Sequence, residues 1–284
     1  MPQPRDPRSP ARLASAQAYR IADAIADAWT QRFDTGTDLH IPLSVTAALA
    51  LLTPADDLRS DPGQKLGHLA PERLPIVLRD IWRKFIASRP DLAVRAAPLV
   101  GWLHPYPDDD HRISAHAITS AAVRAGLFDL TLDNERRRNT DLLGAVRQTL
   151  RSRRARTHRG EFFTPQDLAE ALARITLDDI QDAPPGASLC DPAAGTGAML
   201  CAAARIIRDC GRDPADFRWY ANDIDPLTAA CLAVNTHLWG LGRCVTIGCG
   251  DALADTWLEH AKIDRQAGLN ALAVAGLRSL TTRS

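Results

Sequence analysis

Three carboxylates in this sequence each stand at or just beyond the end of a short apolar run. Asp191 follows Ser188-Leu189-Cys190, Asp223 follows Trp219-Tyr220-Ala221-Asn222, and Asp251 follows Val245-Thr246-Ile247-Gly248-Cys249-Gly250. Such spacing puts acids at the carboxyl tips of successive strands, where open α/β sheets bind nucleotide-like ligands. After Asp191 comes the small-residue turn Pro192-Ala193-Ala194-Gly195-Thr196-Gly197, and an alanine-rich helical pattern starts at Ala198. Gly195 and Gly197 can take positive φ and admit a ligand close to the backbone, because neither carries a Cβ. The spacing is not G-x-G-x-x-G, and no Lys follows the turn as in a phosphate-binding P-loop. The turn therefore suits an uncharged or zwitterionic nucleoside better than a phosphate. Its ligand-free alternative is a tight strand-to-helix connection. Asp191 can accept hydrogen bonds or pair with a cationic group.

The elements that must position these acids are legible on both sides. Pro184-Pro185-Gly186 is a turn into strand one, and Ala198 to Arg208 is the helix after it. Arg218 to Ala221 reads as strand two, ending in Asn222-Asp223, and Asp225 caps a helix from Pro226 to Trp239. Arg243 to Ile247 reads as strand three. Trp257 to Ser284 reads as one helix with a polar end. Upstream, Thr164 can cap a helix beginning at Pro165, with Asp167 and Glu170 in its first turns and Leu168, Leu172 and Ile175 facing inward.

From Ala11 to Leu150 the apolar spacing is helical. Ile21, Ile25, Trp29 and Phe33 form one stripe, Pro42 opens an apolar helix through Leu52, and Leu74 to Ile86 is a strong third. Pro54 to Gly67 and His104 to Arg112 read as loops. Ile113 to Phe128 and Asp141 to Leu150 are further helices. The division is a disordered tail over 1–10, a helical domain over 11–156 and an α/β domain over 157–284. The helical domain either helps to hold DNA or a partner subunit, or only packs.

Lys+Arg and Asp+Glu balance at 34 each, so net charge selects no partner, but its distribution is uneven. Nine arginines lie between Arg136 and Arg159 against one acid, Asp141. Among them Arg151, Arg153, Arg154 and Arg156 are candidates for phosphate contact on DNA, the alternative being a solvated helix face. No apolar run reaches the length of a membrane span, and no signal-peptide pattern opens the chain. The six cysteines form no C-x-x-C and the histidines are scattered, so no metal site is expected. Free cysteines as small apolar fillers fit a reducing cytoplasm.

The segments Arg159-Gly160-Glu161-Phe162-Phe163-Thr164-Pro165, Asp191 to Gly197, Asn222-Asp223-Ile224-Asp225 and Gly250-Asp251-Ala252 occur here in that order. Together they resemble the cofactor motifs of S-adenosylmethionine-dependent N-6 adenine DNA methyltransferases. The nearest kind is the modification subunit of type I restriction-modification systems. The resemblance covers residues 136 to 258. It implies a Rossmann-like domain with S-adenosylmethionine as cofactor. Phe163, Thr164 and Pro165 would lie near its methionine end. Amide groups around Ala193, Ala194, Gly195, Thr196 and Gly197 would bind the methionine carboxylate and surround the ribose. Asp223 would accept the ribose hydroxyls, Ile224 would face the adenine, and Asp251, with Ala252 beside it, would accept from the adenine amine.

The same resemblance implies a catalytic [N/D/S]-P-P-[Y/F] motif after strand four, which orients and stacks a flipped adenine. No such motif occurs in the 284 residues, and Ala183-Pro184-Pro185-Gly186 is a turn before strand one. The expected fold class is therefore α/β, a helical N-terminal domain followed by a partial methyltransferase domain with only the first three strands, so no catalytic residue is assigned. Strand one, interior in the complete fold, would be an open edge. The expected partners are double-stranded DNA, with specificity and restriction subunits or a chain supplying the missing catalytic half. One rival reading is a non-catalytic S-adenosylmethionine-binding or DNA-binding subunit completed by a partner chain. A nicotinamide-dependent oxidoreductase is the other, and the absent G-x-G-x-x-G argues against it.

Overall fold

A computed structural model of the chain describes residues 10–33, 38–53, 62–154, 166–254 and 256–281. The helices before the sheet are α1 (Pro10–Thr30), α2 (His40–Ala50), α3 (Pro62–Gly67), α4 (Leu74–Ser88), α5 (Ala93–Val100), α6 (Asp109–Arg124), α7 (Leu127–Thr131), α8 (Asn134–Arg138), α9 (Leu142–Arg154) and α10 (Gln166–Thr176). There follow β1 (Ser188–Asp191), α11 (Ala198–Asp209), β2 (Arg218–Asp223), α12 (Pro226–Leu238), β3 (Val245–Cys249) and α13 (Trp257–Thr281). The chain divides into two compact units. One is Met1–Leu78 with Trp102–Thr164, and the other is Arg79–Gly101 with Pro165–Ser284.

In the first unit α1 packs on α6 and α9. Its stripe of Ile21, Ile25 and Trp29 is fully buried, as a four-residue spacing requires. Phe33 lies past the helix end and stacks on Trp29 at 4.4 Å and on His111 at 5.3 Å between ring centroids. Asp108 accepts a hydrogen bond from His111 N at 2.9 Å and so caps α6, which makes Asp109 to Arg112 its first turn and not the expected loop. The expected helix from Ile113 to Phe128 is broken at Gly126, whose φ is +88°. Gln17 Nε2 reaches that glycine's carbonyl at 2.8 Å. Three arginines of the basic segment are committed within this unit. Arg136 bonds the Asp129 carbonyl at 2.9 Å and the Gln17 amide, Arg137 bonds Asn134 Oδ1 at 2.7 Å, and Arg147 is buried.

The second unit holds a parallel sheet in the order β1-β2-β3, with Leu189 opposite Trp219 and Trp219 opposite Val245. Strand two extends through Asp223, and strand three runs two residues later than its apolar pattern suggested. Parallel strands need crossovers, and α11 and α12 supply them. The sheet is covered unevenly. β3 is buried along most of its length beneath α12, α13 and α5, whereas β1 alternates between exposed and half-buried residues and, among the described residues, pairs with β2 alone.

Arg79–Gly101, which the sequence pattern ran together with the first domain, packs in this unit. α5 lies against α12, and the turn Pro90–Leu92 lies against α13. Arg89 and Asp91 form a buried two-pronged ion pair there, Nε to Oδ1 at 3.0 Å and Nη2 to Oδ2 at 2.8 Å, which fixes the entry to α5. Removing either partner would strand a charge in the interior.

Helix α10 corrects an expectation. Leu168, Leu172 and Ile175 do not face inward; they are exposed, Ile175 by 77%. The buried face is Ala169, Glu170 and Ala173, against α11. Small side chains allow the two helices to approach, and Glu170 forms an ion pair with Arg205 of α11. The larger residues are thereby left on the opposite face.

Gly197 enters α11 at φ +101°, and a Cβ there would stand 2.6 Å from Leu232 Cδ1 and 2.8 Å from Trp239 Cζ3. Both neighbours are fully buried and cannot retreat. Gly197→Ala should destabilise the chain by about 2–4 kcal/mol through backbone strain plus overpacking. Chemical denaturation would show this as a lower midpoint, and an unchanged midpoint would contradict the packing described.

Candidate functional site

The parallel register brings the carboxyl ends of β1, β2 and β3 side by side. Asp223, last residue of β2, holds the neighbouring connections. Its Oδ2 accepts from Gly195 N at 3.0 Å and its Oδ1 from Asp225 N at 2.9 Å. Its carbonyl accepts from Gly250 N at 3.1 Å. Asp225 in turn caps α12 by accepting from Thr228 N at 2.8 Å. An ionised carboxylate has about four acceptor positions, so each Asp223 oxygen retains capacity for a further donor.

The turn after β1 is held largely by its own amides. Ala193 N donates to Asp191 Oδ1 at 3.2 Å, Ala194 N to the Asn222 carbonyl at 2.8 Å, and Gly197 N to the Ala194 carbonyl at 2.8 Å. With Gly195 N on Asp223, the amides of Ala193, Ala194, Gly195 and Gly197 all donate within the protein. Pro192 and Ala193 are exposed, and the Asp191 carboxyl beside them is half-buried. Burial raises its pKa, the Ala193 amide opposes that shift, and the nearby Asp223 charge adds to it. Around Gly195, at φ +59°, a Cβ would meet nothing within 4 Å, so the backbone borders open space.

At the third tip, the exposed Asp251 accepts from Leu253 N at 2.9 Å in a side-chain turn. Ala252 beside it is half-buried. Two large apolar side chains stand in solvent at these tips, Ile224 at 72% and Leu253 at 92% exposure. Ile224 is a residue the sequence points to, and Leu253, which follows Asp251-Ala252 directly, carries the same signal. Asn222, a buried polar residue at the sheet's edge of the site, has no local sequence signal of its own. Phe163, Thr164, Pro165 and Arg156 lie outside the described residues. Arg151 is half-buried near the end of α9, and Arg153 and Arg154 belong to the same helix.

Acids at three adjacent parallel strand tips, a two-glycine turn into α11 and exposed apolar side chains make up the carboxyl edge of a Rossmann-like parallel sheet. Residues 138–267 match the N-6 DNA methylase family. The structure is similar to a crystal structure of the type I restriction-modification system methyltransferase subunit from Streptococcus thermophilus. The TM-score is 0.56 at 15% sequence identity, over 86% of this chain and 60% of that one. This chain therefore spans less than two thirds of that relative's length. No curated protein is a significant sequence match.

Asp191 carries a testable cost. Because folding raises its pKa, its ionised form costs stability above the folded pKa. That cost fades as pH falls through it toward the ordinary carboxylate range. Asp191→Asn keeps an acceptor for Ala193 N and removes the charge. It should raise the melting temperature of the ligand-free chain at pH 7, with the gap closing at acid pH. A lower melting temperature at pH 7 would show that the Asp191 charge has a stabilising partner.

Proposed function

We propose that this chain is the methyl-donor half of an adenine-specific DNA methyltransferase of a restriction-modification system, binding S-adenosylmethionine across the three strand tips. The observation that carries the reading is Asp223. It is a carboxylate at the end of the middle strand, anchored by two backbone N–H groups and still able to accept from a diol. The surrounding residues fit the group. Ile224 and Leu253 offer apolar faces to a flat ring, and Asp251 offers an acceptor for an exocyclic amine. Asp191 offers a negative group to the cationic methionine end, whose approach would offset its burial. Phe163, Thr164 and Pro165 belong to the same reading by family resemblance alone. When bound, S-adenosylmethionine supplies an electrophilic methyl group on a sulfonium centre.

The engaged amides of the β1 turn favour the Asp191 carboxylate over backbone N–H groups as the main polar contact at the methionine end. The acceptor side of the reaction needs a group that orients an adenine amine and a ring that stacks on the extruded base. Neither is assigned among these 284 residues. Transfer is governed largely by positioning, so the reading includes a further polypeptide segment that adds strands at β1 and brings those groups. Double-stranded DNA is the substrate in this reading. Arg151, Arg153, Arg154 and Arg156 are the candidate phosphate contacts, and the specificity and restriction subunits are the expected partners. The rival reading, a non-catalytic cofactor-binding subunit, shares the same donor site and differs only in what completes it.

Calorimetry with S-adenosylhomocysteine and with NAD tests the donor site. The chain should bind the former in preference. Asp223→Ala should weaken that binding by about 1–3 kcal/mol, the cost of leaving the diol unpaired. Tight NAD binding would overturn the class, and equal affinity of variant and parent would remove Asp223 from the site. Incubation with labelled S-adenosylmethionine and unmethylated DNA should transfer label only when a chain carrying the adenine-orienting motif is added. Label transfer by this chain alone would place catalytic residues within it.

A further inference from the structure

Asn222 precedes the candidate ribose acceptor and has only 1% of its surface exposed, so it touches no ligand in solvent. Its carboxamide nitrogen carries two hydrogens, and both are used. Nδ2 donates to the Pro192 carbonyl in the turn after β1 at 3.1 Å, and to the Gly250 carbonyl in the turn after β3 at 2.9 Å. These two turns belong to strands that are not neighbours in the sheet, since β2 lies between them. The main chain reinforces the same ties, because the Asn222 carbonyl holds Ala194 N and the Asp223 carbonyl holds Gly250 N. We propose that Asn222 is a positioning residue that sets the distance between the two ends of the ligand site, the turn at 192–197 and the turn at 250–254.

The chemistry of the position is restrictive. A planar NH2 group gives two donors at a fixed angle from a single atom. Aspartate would set a carboxylate against two carbonyls. Serine has only one donor, and glutamine carries its amide one methylene farther out. The other amide atom adds a second restriction. Asn222 Oδ1 is buried without a hydrogen-bond partner. It faces Gly248 of β3, where a Cβ would stand 2.6 Å from it and 2.7 Å from the Trp257 ring. The protein thus leaves one acceptor unmatched while both donors of the same amide bridge the turns. Glycine at 248 leaves room for the amide to lie in that plane.

The ligand part of this inference rests on the proposed donor site. A ligand reaching from Asp191 to Asp251 depends on the spacing of both turns. One confined to the tips of β2 and β3 does not. S-adenosylhomocysteine is the first kind and adenosine is the second, which separates positioning from general loss of structure.

The test uses the full chain with Asn222→Ser, Asn222→Asp and Gly248→Ala. Hydrogen exchange read on peptides is measured first without ligand. Asn222→Ser should speed exchange in 192–197 and 250–254 together, while α11 and α12 stay as protected as in the parent. Gly248→Ala should give the same pattern by displacing the amide without removing its donors. Calorimetry follows. Asn222→Ser should raise the dissociation constant for S-adenosylhomocysteine about tenfold, as loss of one such bond implies, and that for adenosine about twofold or less. Asn222→Asp should be at least as impaired as serine. Faster exchange in one turn only, in neither, or equally throughout the unit would overturn the clamp. Equal weakening of both ligands would overturn its role in spacing. If the parent binds no S-adenosylhomocysteine, the donor-site reading fails, and the exchange data still decide whether Asn222 holds the two turns.

Discussion

A carboxylate that accepts backbone N–H groups from a neighbouring connection is both strong and directional, and the arrangement of this site depends on one. Asp223 holds Gly195 of one turn and Asp225 of its own, while its carbonyl holds Gly250 of a third. Three chain segments, around residues 195, 223 and 250, are thereby fixed around one residue. The parallel sheet supplies the position and α12 supplies the rigidity, since Asp225, bonded to Asp223, also caps that helix. A ligand arriving at such a site meets acceptors already oriented, so little ordering remains to be done on binding. The cost falls on half-buried Asp191, whose pKa is raised first by burial and then by the nearby Asp223 charge. A cationic ligand end is the natural counterpart.

The covering of the sheet follows the same logic of position. β3 is the outer strand in sequence order, yet it is the better buried, because α5 and the Pro90–Leu92 turn join α12 and α13 around it. The buried Arg89–Asp91 pair holds that insertion in place. Among the described residues β1 has one pairing partner and partly exposed side chains, and α10 presents Leu168, Leu172 and Ile175 outward. An unpaired strand edge and an apolar helix face are features that proteins ordinarily cover.

Much of the second unit was legible because its signals are local. A short apolar run, an acid and a glycine-bearing turn determine strand, tip and helix start within a dozen residues, and Asp191, Asp223 and Asp251 all fall where that pattern puts them. Strand three was displaced because Arg243 and Cys244 continue its pattern on paper, whereas pairing begins at Val245 opposite Trp219. The inward face of α10 differs from the one its larger residues suggest, because helical periodicity shows which residues share a face and not which face is covered. Alanines won there because close helix approach and the Glu170–Arg205 pair outweigh a stripe of larger side chains. The place of Arg79–Gly101 was invisible, since a contact between segments more than a hundred residues apart leaves no local mark. The role of Asn222 leaves no local mark for the same reason. Its two partners, Pro192 and Gly250, are each about thirty residues away in sequence.

The central claim is that one ligand is held at once by the three strand tips. The most direct test is amide NMR of the full chain titrated with S-adenosylhomocysteine. The account predicts that the Gly195, Ile224 and Ala252 resonances shift together along a single saturating curve, with helices α1 and α2 unaffected. Shifts confined to one tip, or centred on residues away from all three, would contradict it.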